Sequence, residues 1–150
     1  MMSLDLTNLN HSQQKVKEAQ ELVEHLMLEV KNAYTLHGKL SDDLLSLLNF
    51  TFQGLLLSAL ELVEKQSVTK IVSPSGRALF QVVGASGTPY TCFARENYCS
   101  CPAYHFSVLR KEDHMMCKHV LAVKLSEAMG KSKSLSVSDA EVTHIIMSIE

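Results

Sequence analysis

At 150 residues, 46% of them hydrophobic, the chain is long enough to bury one sizeable core, and its length implies a single domain. A formal net charge of −2 argues against a strongly basic, freestanding nucleic-acid binder. The opening MMSLDLTNLN offers neither a basic nor an apolar leader stretch, so no signal peptide is expected, and four cysteines in an intracellular chain favour reduced thiols and metal over disulfides.

In chain order, residues up to about 11 read as frayed, and a first helix is expected over residues 12–36. Val16, Ala19, Leu22, Val23, Leu26, Val30 and Ala33 recur there at spacings of three and four. His25 and His37 are expected at its surface, and Gly38 is placed to end it. Ser41 is a good N-cap, followed by Asp42 and Asp43 at the positive end of the helix dipole. A second helix then reads to about Gln66, with no charge between Asp43 and Glu61 and leucines on nearly every side: Leu44, Leu45, Leu47, Leu48, Leu55, Leu56, Leu57 and Leu60. Its length reaches the lower limit for a membrane span. Ser46, Asn49, Thr51, Gln53, Gly54 and Ser58 interrupt it and no basic anchor flanks it, so no membrane association is expected. A helix that is apolar all round must be buried all round, and a small domain covers only part of such a surface. Part of it is therefore expected to meet another protein.

Strands follow at 68–73 and 77–84, joined by the turn Pro74-Ser75-Gly76, with Ala78, Phe80 and Val82 on one face. Gly87-Thr88-Pro89 turns the chain into a strand at 90–95, where Cys92 reads as a buried thiol. Glu96-Asn97 makes another tight turn and Tyr98 leads into Cys99. Pro102 suits the first turn of a short helix to about Arg110, with Phe106 and Leu109 facing inward. After a loop at 111–116, Cys117 opens a helix to about Met129, where the N-terminal dipole favours a thiolate. Residues 131–134 read as a linker. Ser138 and Glu141 then form a capping box for a last helix carrying Val142, Ile145, Ile146 and Ile149.

Within this succession, Cys99-Ser100-Cys101 and Cys117-Lys118-His119 stand out. Three thiolates and one imidazole are a complete tetrahedral set of the kind zinc takes in closed structural sites. Residues 102–116 leave room for a short helix and a loop that returns the second pair to the first. One intervening residue in extended backbone puts Cys99 and Cys101 on the same face. Ordinary thiol burial does not explain three cysteines clustered with a histidine at paired spacing. A Cys99–Cys101 disulfide would be a strained ring near the upper limit of Cα separation. A Cys117–His119 nucleophile is disfavoured because residues two apart on a helix do not face each other, and nothing nearby beyond Asp113 reads as an oxyanion hole or an orienting carboxylate. His105 and His114 are rival ligands that complete no pair. Asn10 and Asn49 begin glycosylation sequons, which carry no weight in an intracellular chain, and no glycine-rich loop encodes a nucleotide site.

Charge is unevenly divided: residues 1–66 carry five cations against nine anions, whereas residues 95–133 carry seven cations against four anions. The basic bias around the motif has two readings. Arg110, Lys111 and Lys118 either contact nucleic-acid phosphate, or offset the negative charge of a three-thiolate site.

The motif Cys-x-Cys-x(15)-Cys-x-His, preceded by a hairpin and the Tyr90-Thr91-Cys92 strand, resembles the SWIM-type zinc finger family. The segments 65–83, 98–109, 117–125 and 135–139 further resemble the small SWIM-domain subunits of the Shu complex, a likeness that spans roughly residues 40–146. The resemblance implies zinc held by Cys99, Cys101, Cys117 and His119. It also implies a nuclear, non-enzymatic role beside a RecA-fold ATPase-like subunit, as a heterodimer that binds DNA and supports recombinase filaments in homologous recombination and meiosis. The expected fold is α+β: an N-terminal helical hairpin over 1–66, a small antiparallel sheet with a zinc-stapled SWIM finger and flanking helices over 67–130, and a linker with a C-terminal helix over 131–150.

Overall fold

The computed structural model describes residues 2–105, 108 and 115–149, and the side chains of all of these except 2–10 and 12. The elements in order are α1 (Met2–His37), α2 (Asp42–Thr51), α3 (Leu56–Glu64), β1 (Val68–Val72), β2 (Ala78–Val83), β3 (Pro89–Phe93), β4 (Tyr98–Cys99), α4 (Lys118–Met129), β5 (Lys133–Ser136) and α5 (Asp139–Met147). The expected α+β class holds.

The first helix is longer than its apolar stripe. It begins at Met2 instead of following a frayed stretch, because residues 2–11 contain no Gly or Pro and extending a formed helix fixes one residue per hydrogen bond gained. Its C-terminal half is seated through Val23, Leu26 and Val30, whereas Val16 and Leu22 are exposed. Gly38, at φ +67°, ends α1 and bonds its amide to the Tyr34 carbonyl. Ser41 Oγ caps α2 by accepting the Leu44 amide at 3.1 Å.

The expected continuous second helix is two helices. Thr51 Oγ1 donates back to the Leu47 carbonyl at 2.8 Å, an interaction that bends helices, and Gly54 takes φ +79° three residues later. The break lets Leu48 and Phe52 at the end of α2 and Leu56, Ala59, Leu62 and Val63 of α3 enter one core together. Among the described residues no helix is long and apolar enough to cross a membrane.

Five strands form one sheet in the order β4-β3-β2-β1-β5. The first four pair antiparallel, with Phe80 opposite Cys92 and Cys92 opposite Cys99. The sheet is mixed and not purely antiparallel, since β5 joins β1 in parallel with Ile71 opposite Leu135. The second half of the segment read as a linker thus opens an edge strand, β5. All four of its residues are exposed, so it lacks the alternation that signals a half-buried strand. Its lysine suits an unpaired edge.

Both faces of the sheet are covered. One carries the main core, where α1, α3 and α4 pack with Val68, Phe80, Val82 and Cys92. The other carries Ile71 and Leu79 under Val142 of α5, with Phe93, Val137 and Ile145 at the margin. Alternation along β2 therefore serves two cores, and only Phe80 and Val82 of the expected face are buried, Ala78 being exposed at the strand end. Half of the expected capping box of α5 is formed: Ser138 Oγ accepts the Glu141 amide at 3.1 Å, while the Glu141 carboxylate takes the Ser138 hydroxyl at 3.3 Å in place of the Ser138 amide. Asp139 ties α5 to the first hairpin turn, accepting the Ser75 hydroxyl at 2.6 Å, while Arg77 donates to the Asp139 carbonyl at 2.7 Å.

Candidate metal centre

Four elements of local structure converge on one point. The β4 edge strand delivers Cys99. The chain then bends at Cys101, and Pro102 starts a helical turn over residues 102–105. That turn aims the Tyr104 amide at Cys101 Sγ, at 3.2 Å. Across the site, Cys117 is the N-cap of α4, with extended backbone at φ −84° and ψ 169°. His119 lies in the first turn of the same helix.

The donor atoms of Cys99, Cys101, Cys117 and His119 all lie within 4.8 Å of one another, and all four residues are buried. His119 presents Nδ1, which is 3.7 Å from Cys99 Sγ and 3.9 Å from Cys117 Sγ. A tetrahedral ion with Zn–S near 2.3 Å and Zn–N near 2.0 Å would hold sulfur and nitrogen about 3.5 Å apart. The observed spacings need little contraction to reach it. The donor set therefore fits zinc in a closed structural site, with no open position for a reacting water.

This convergence corrects the expectation that Cys117 and His119 face apart. That argument applies within a helix, but Cys117 stands outside the helical backbone as its cap. Its thiol therefore swings back over the first turn. Rotation of the imidazole is restrained by the Tyr90 ring, whose centroid lies 4.7 Å away at 40°.

Electrostatics also call for a cation. Hydrogen bonds from the Cys117 and Cys99 thiols, with help from the Tyr104 amide, pull the Cys101 thiol well below the usual range. The same hydrogen bonds, donated to Cys101, push Cys99 and Cys117 up, and burial adds to the rise, because ionising either thiol would give up its donated bond in a buried site. Three buried thiolates side by side would be stabilised by a bound positive ion. The start of α4 adds the positive end of its dipole and the Val120 amide beside Cys117.

Of the cations singled out in the sequence, Lys118 is exposed at the first position of α4. It lines a cleft of about 520 Å³ together with Glu61, Lys65, Ser86, Cys101 and His119. Arg110 and Lys111 lie outside the described residues, as do Phe106, Leu109, Asp113 and His114. The rival His105 is exposed and outside the cluster. Cys92 is the buried thiol expected of it and lies outside the donor group. Two participants went unread in the sequence, the Tyr90 ring and the Tyr104 amide, and the second had a signal, since Pro102 predicts a helical turn that aims amides back at Cys101.

The SWIM zinc finger family profile matches residues 90–127, from Tyr90 of β3 through most of α4. Zinc finger SWIM domain-containing protein 7 of Mus musculus is 47% identical over 127 residues, covering 85% of this chain and 84% of that protein. The Homo sapiens protein is 48% identical over 126 residues, covering 84% and 90% respectively. The homolog in Dictyostelium discoideum is 35% identical over 135 residues, covering 89% and 85%. No solved structure matches the chain. With this identity across most of both proteins, and a Cys3His cluster built as described, the chain belongs to the zinc finger SWIM domain-containing protein 7 family.

Proposed function

We propose that this chain is a non-catalytic, nuclear subunit of a DNA-repair complex, holding one zinc ion through Cys99, Cys101, Cys117 and His119. In this reading it pairs with a RecA-fold ATPase-like subunit, and the heterodimer binds DNA and promotes recombinase filament assembly in homologous recombination. Zinc keeps the finger folded against the sheet and performs no chemistry on a substrate.

The observation that carries the reading is the surplus of apolar surface on the helical half. Leu36 is 75% exposed, Leu47 49%, Phe50 77% and Leu57 79%, although each lies on a helix whose other side is in the core. Single exposed leucines are ordinary, but four large apolar residues over one run of three helices suit a permanent partner. The resemblance to Shu-complex SWIM subunits supplies the partner class.

A second reading, an interaction adaptor without DNA contact, draws support from the charges beside the cleft. Lys65 is already paired with Glu61 at 2.7 Å, and Lys118 also acts on that carboxylate, which these cations hold below its usual range. Two lysines against one carboxylate leave a net charge of only about +1 at the cleft for phosphate.

Purified chain alone, and co-purified with a RecA-fold partner, should be compared by mobility shift on single-stranded DNA over a salt series. Binding only by the pair supports the first reading. No binding in either state supports the adaptor, and salt-sensitive binding by the isolated chain supports a freestanding finger.

A further inference from the structure

All four cysteines of the chain meet at this site. Cys99, Cys101 and Cys117 are the thiol donors of the proposed centre, and Cys92 stands directly opposite Cys99 on the neighbouring strand. Cys92 is fully buried, belongs to the same core cluster, and falls outside the four-donor group. It has no role in holding the ion.

The ladder around it gives it one. The Ser100 amide donates to the Thr91 carbonyl at 3.0 Å, and the Thr91 amide donates to Ser100 Oγ at 3.0 Å. Thr91 and Ser100 are therefore the hydrogen-bonded pair, and Cys92 and Cys99 are the adjacent non-bonded pair. Such pairs hold their Cα atoms about 4.5 Å apart with side chains close on one face. That separation lies inside the range of about 4.4–6.8 Å that a disulfide accepts. Cys99 and Cys101, one residue apart in the same chain, sit near its upper limit.

We propose that Cys92 is a resolving thiol: under a hydroperoxide, Cys92 and Cys99 close a disulfide that removes one of the four donors and releases the metal reversibly. The inference rests on the donor assignment proposed above. Of the three ligand cysteines, Cys101 is the one that lines the cleft beside Lys118, which gives a hydroperoxide a route toward it. The Cys101 thiolate attacks the peroxide, the O–O bond breaks, the alcohol departs with a proton, and Cys101 becomes a sulfenic acid. Cys99 condenses with it, expelling water and forming the strained Cys99–Cys101 disulfide. Cys92 then attacks the Cys99 sulfur, and Cys101 leaves as thiolate. Over the sequence the Cys92 and Cys99 thiols lose two electrons and two protons, and the hydroperoxide becomes alcohol and water. The relaxed Cys92–Cys99 bond spares the sulfenic acid from further, irreversible oxidation, and a dithiol reductant restores all four donors.

The full chain, purified with zinc and shown by metal analysis to hold one equivalent, should be titrated with hydrogen peroxide. Zinc release is followed with a colorimetric chelator, free thiols are alkylated and the disulfides mapped by mass spectrometry. The expected result is a Cys92–Cys99 disulfide that rises with zinc release, and recovery of the zinc content after dithiothreitol and fresh zinc. Cys92→Ser should start with the same zinc content, accumulate sulfinic acid on Cys99 or Cys101, and lose reloading severalfold. If Cys92→Ser does not load zinc, the disulfide map of the unsubstituted chain decides. Absence of zinc before peroxide refutes the donor assignment. A full equivalent of zinc, followed by release with Cys92 entirely alkylatable, overturns the resolving role alone, as does wild-type reloading by Cys92→Ser.

Discussion

Replacing Cys117 by Ala should unfold more than the finger. Beyond donating a sulfur, Cys117 fixes the start of α4, and α4 is the hub of the main core: Val120, Leu121, Ala122, Val123 and Leu125 are all fully buried. Its neighbours are α3 on one side, α1 on another and β3 on the sheet side. Burial of a Val or Leu side chain contributes about 1.5–3 kcal/mol, so the four larger residues alone represent roughly 6–12 kcal/mol. That matches the entire net stability of a typical domain, about 5–15 kcal/mol. Structural zinc in finger peptides contributes on the order of 10–16 kcal/mol. The chain therefore cannot release α4 and keep the remainder. Cys117→Ala should bind well under one equivalent of zinc, and hydrogen exchange should show lost protection at Val23–Val30 of α1 and throughout α3 as well as in the finger. Chelation of the unsubstituted protein should do the same, and Cys92→Ser should leave the metal count unchanged. The reasoning fails if metal is lost while α1 and α3 amides stay protected.

Other consequences are independent of the metal. Leu26→Ala, at a site 2% exposed, should cost about 2–5 kcal/mol, or roughly 2–4 °C of Tm per kcal/mol, whereas Leu22→Ala one turn away on the exposed side should stay within about 0.5 kcal/mol, as thermal melts will show. Hydrogen bonds from Ser75 and Ser73 hold the Asp139 carboxyl below its ordinary 3.8, so its contribution is complete above that value and is lost as pH falls through the lower folded one; α5 amides should lose protection only in that acid window, and Asp139→Ala should remove the dependence. Phe50→Ser with Leu57→Ser should leave zinc content and Tm nearly unchanged yet abolish co-purification with a RecA-fold partner. Lys118→Ala should likewise spare the metal, and should flatten the salt slope of single-stranded DNA binding by the assembled complex by about 0.7 if it meets phosphate. An unchanged slope assigns it to charge compensation.

What the sequence disclosed and what it hid follow from the range of each interaction. Local rules were legible because they are decided within a few residues: the Ser41 and Ser138 caps, Gly38 at the end of α1, the turn at Gly76 with φ +88° and Asn97 with φ +53° each sit where side-chain chemistry requires. The convergence of the four donors was legible for another reason, since no other arrangement gives three thiols and an imidazole at such spacing a common purpose. The kink at 52–55 was hidden because leucines on both sides of Gly54 read as one apolar run. Strand β5 was hidden because Lys133-Ser134-Leu135-Ser136 buries nothing, and its place is fixed by β1, more than sixty residues earlier.

The largest departure concerns how the helical half and the finger relate. Read as a string, the acidic leucine-rich helices and the basic cysteine motif look like separate modules. In the fold, Leu48, Phe52, Leu56 and Ala59 belong to the same buried cluster as Cys99, Cys101 and Cys117. The exposed Leu47, Phe50 and Leu57 are the outward sides of those very helices. Core packing is close to crystalline, so loosening one wall shifts the others by discrete repacking and not by smooth deformation. A metal centre embedded there sets the geometry of the apolar surface that the proposed partner would cover. Binding that surface should in turn raise the apparent zinc affinity by the same factor that zinc raises affinity for the partner, because two sites coupled through one core must influence each other reciprocally. Two isolated modules joined by a linker would show no such linkage.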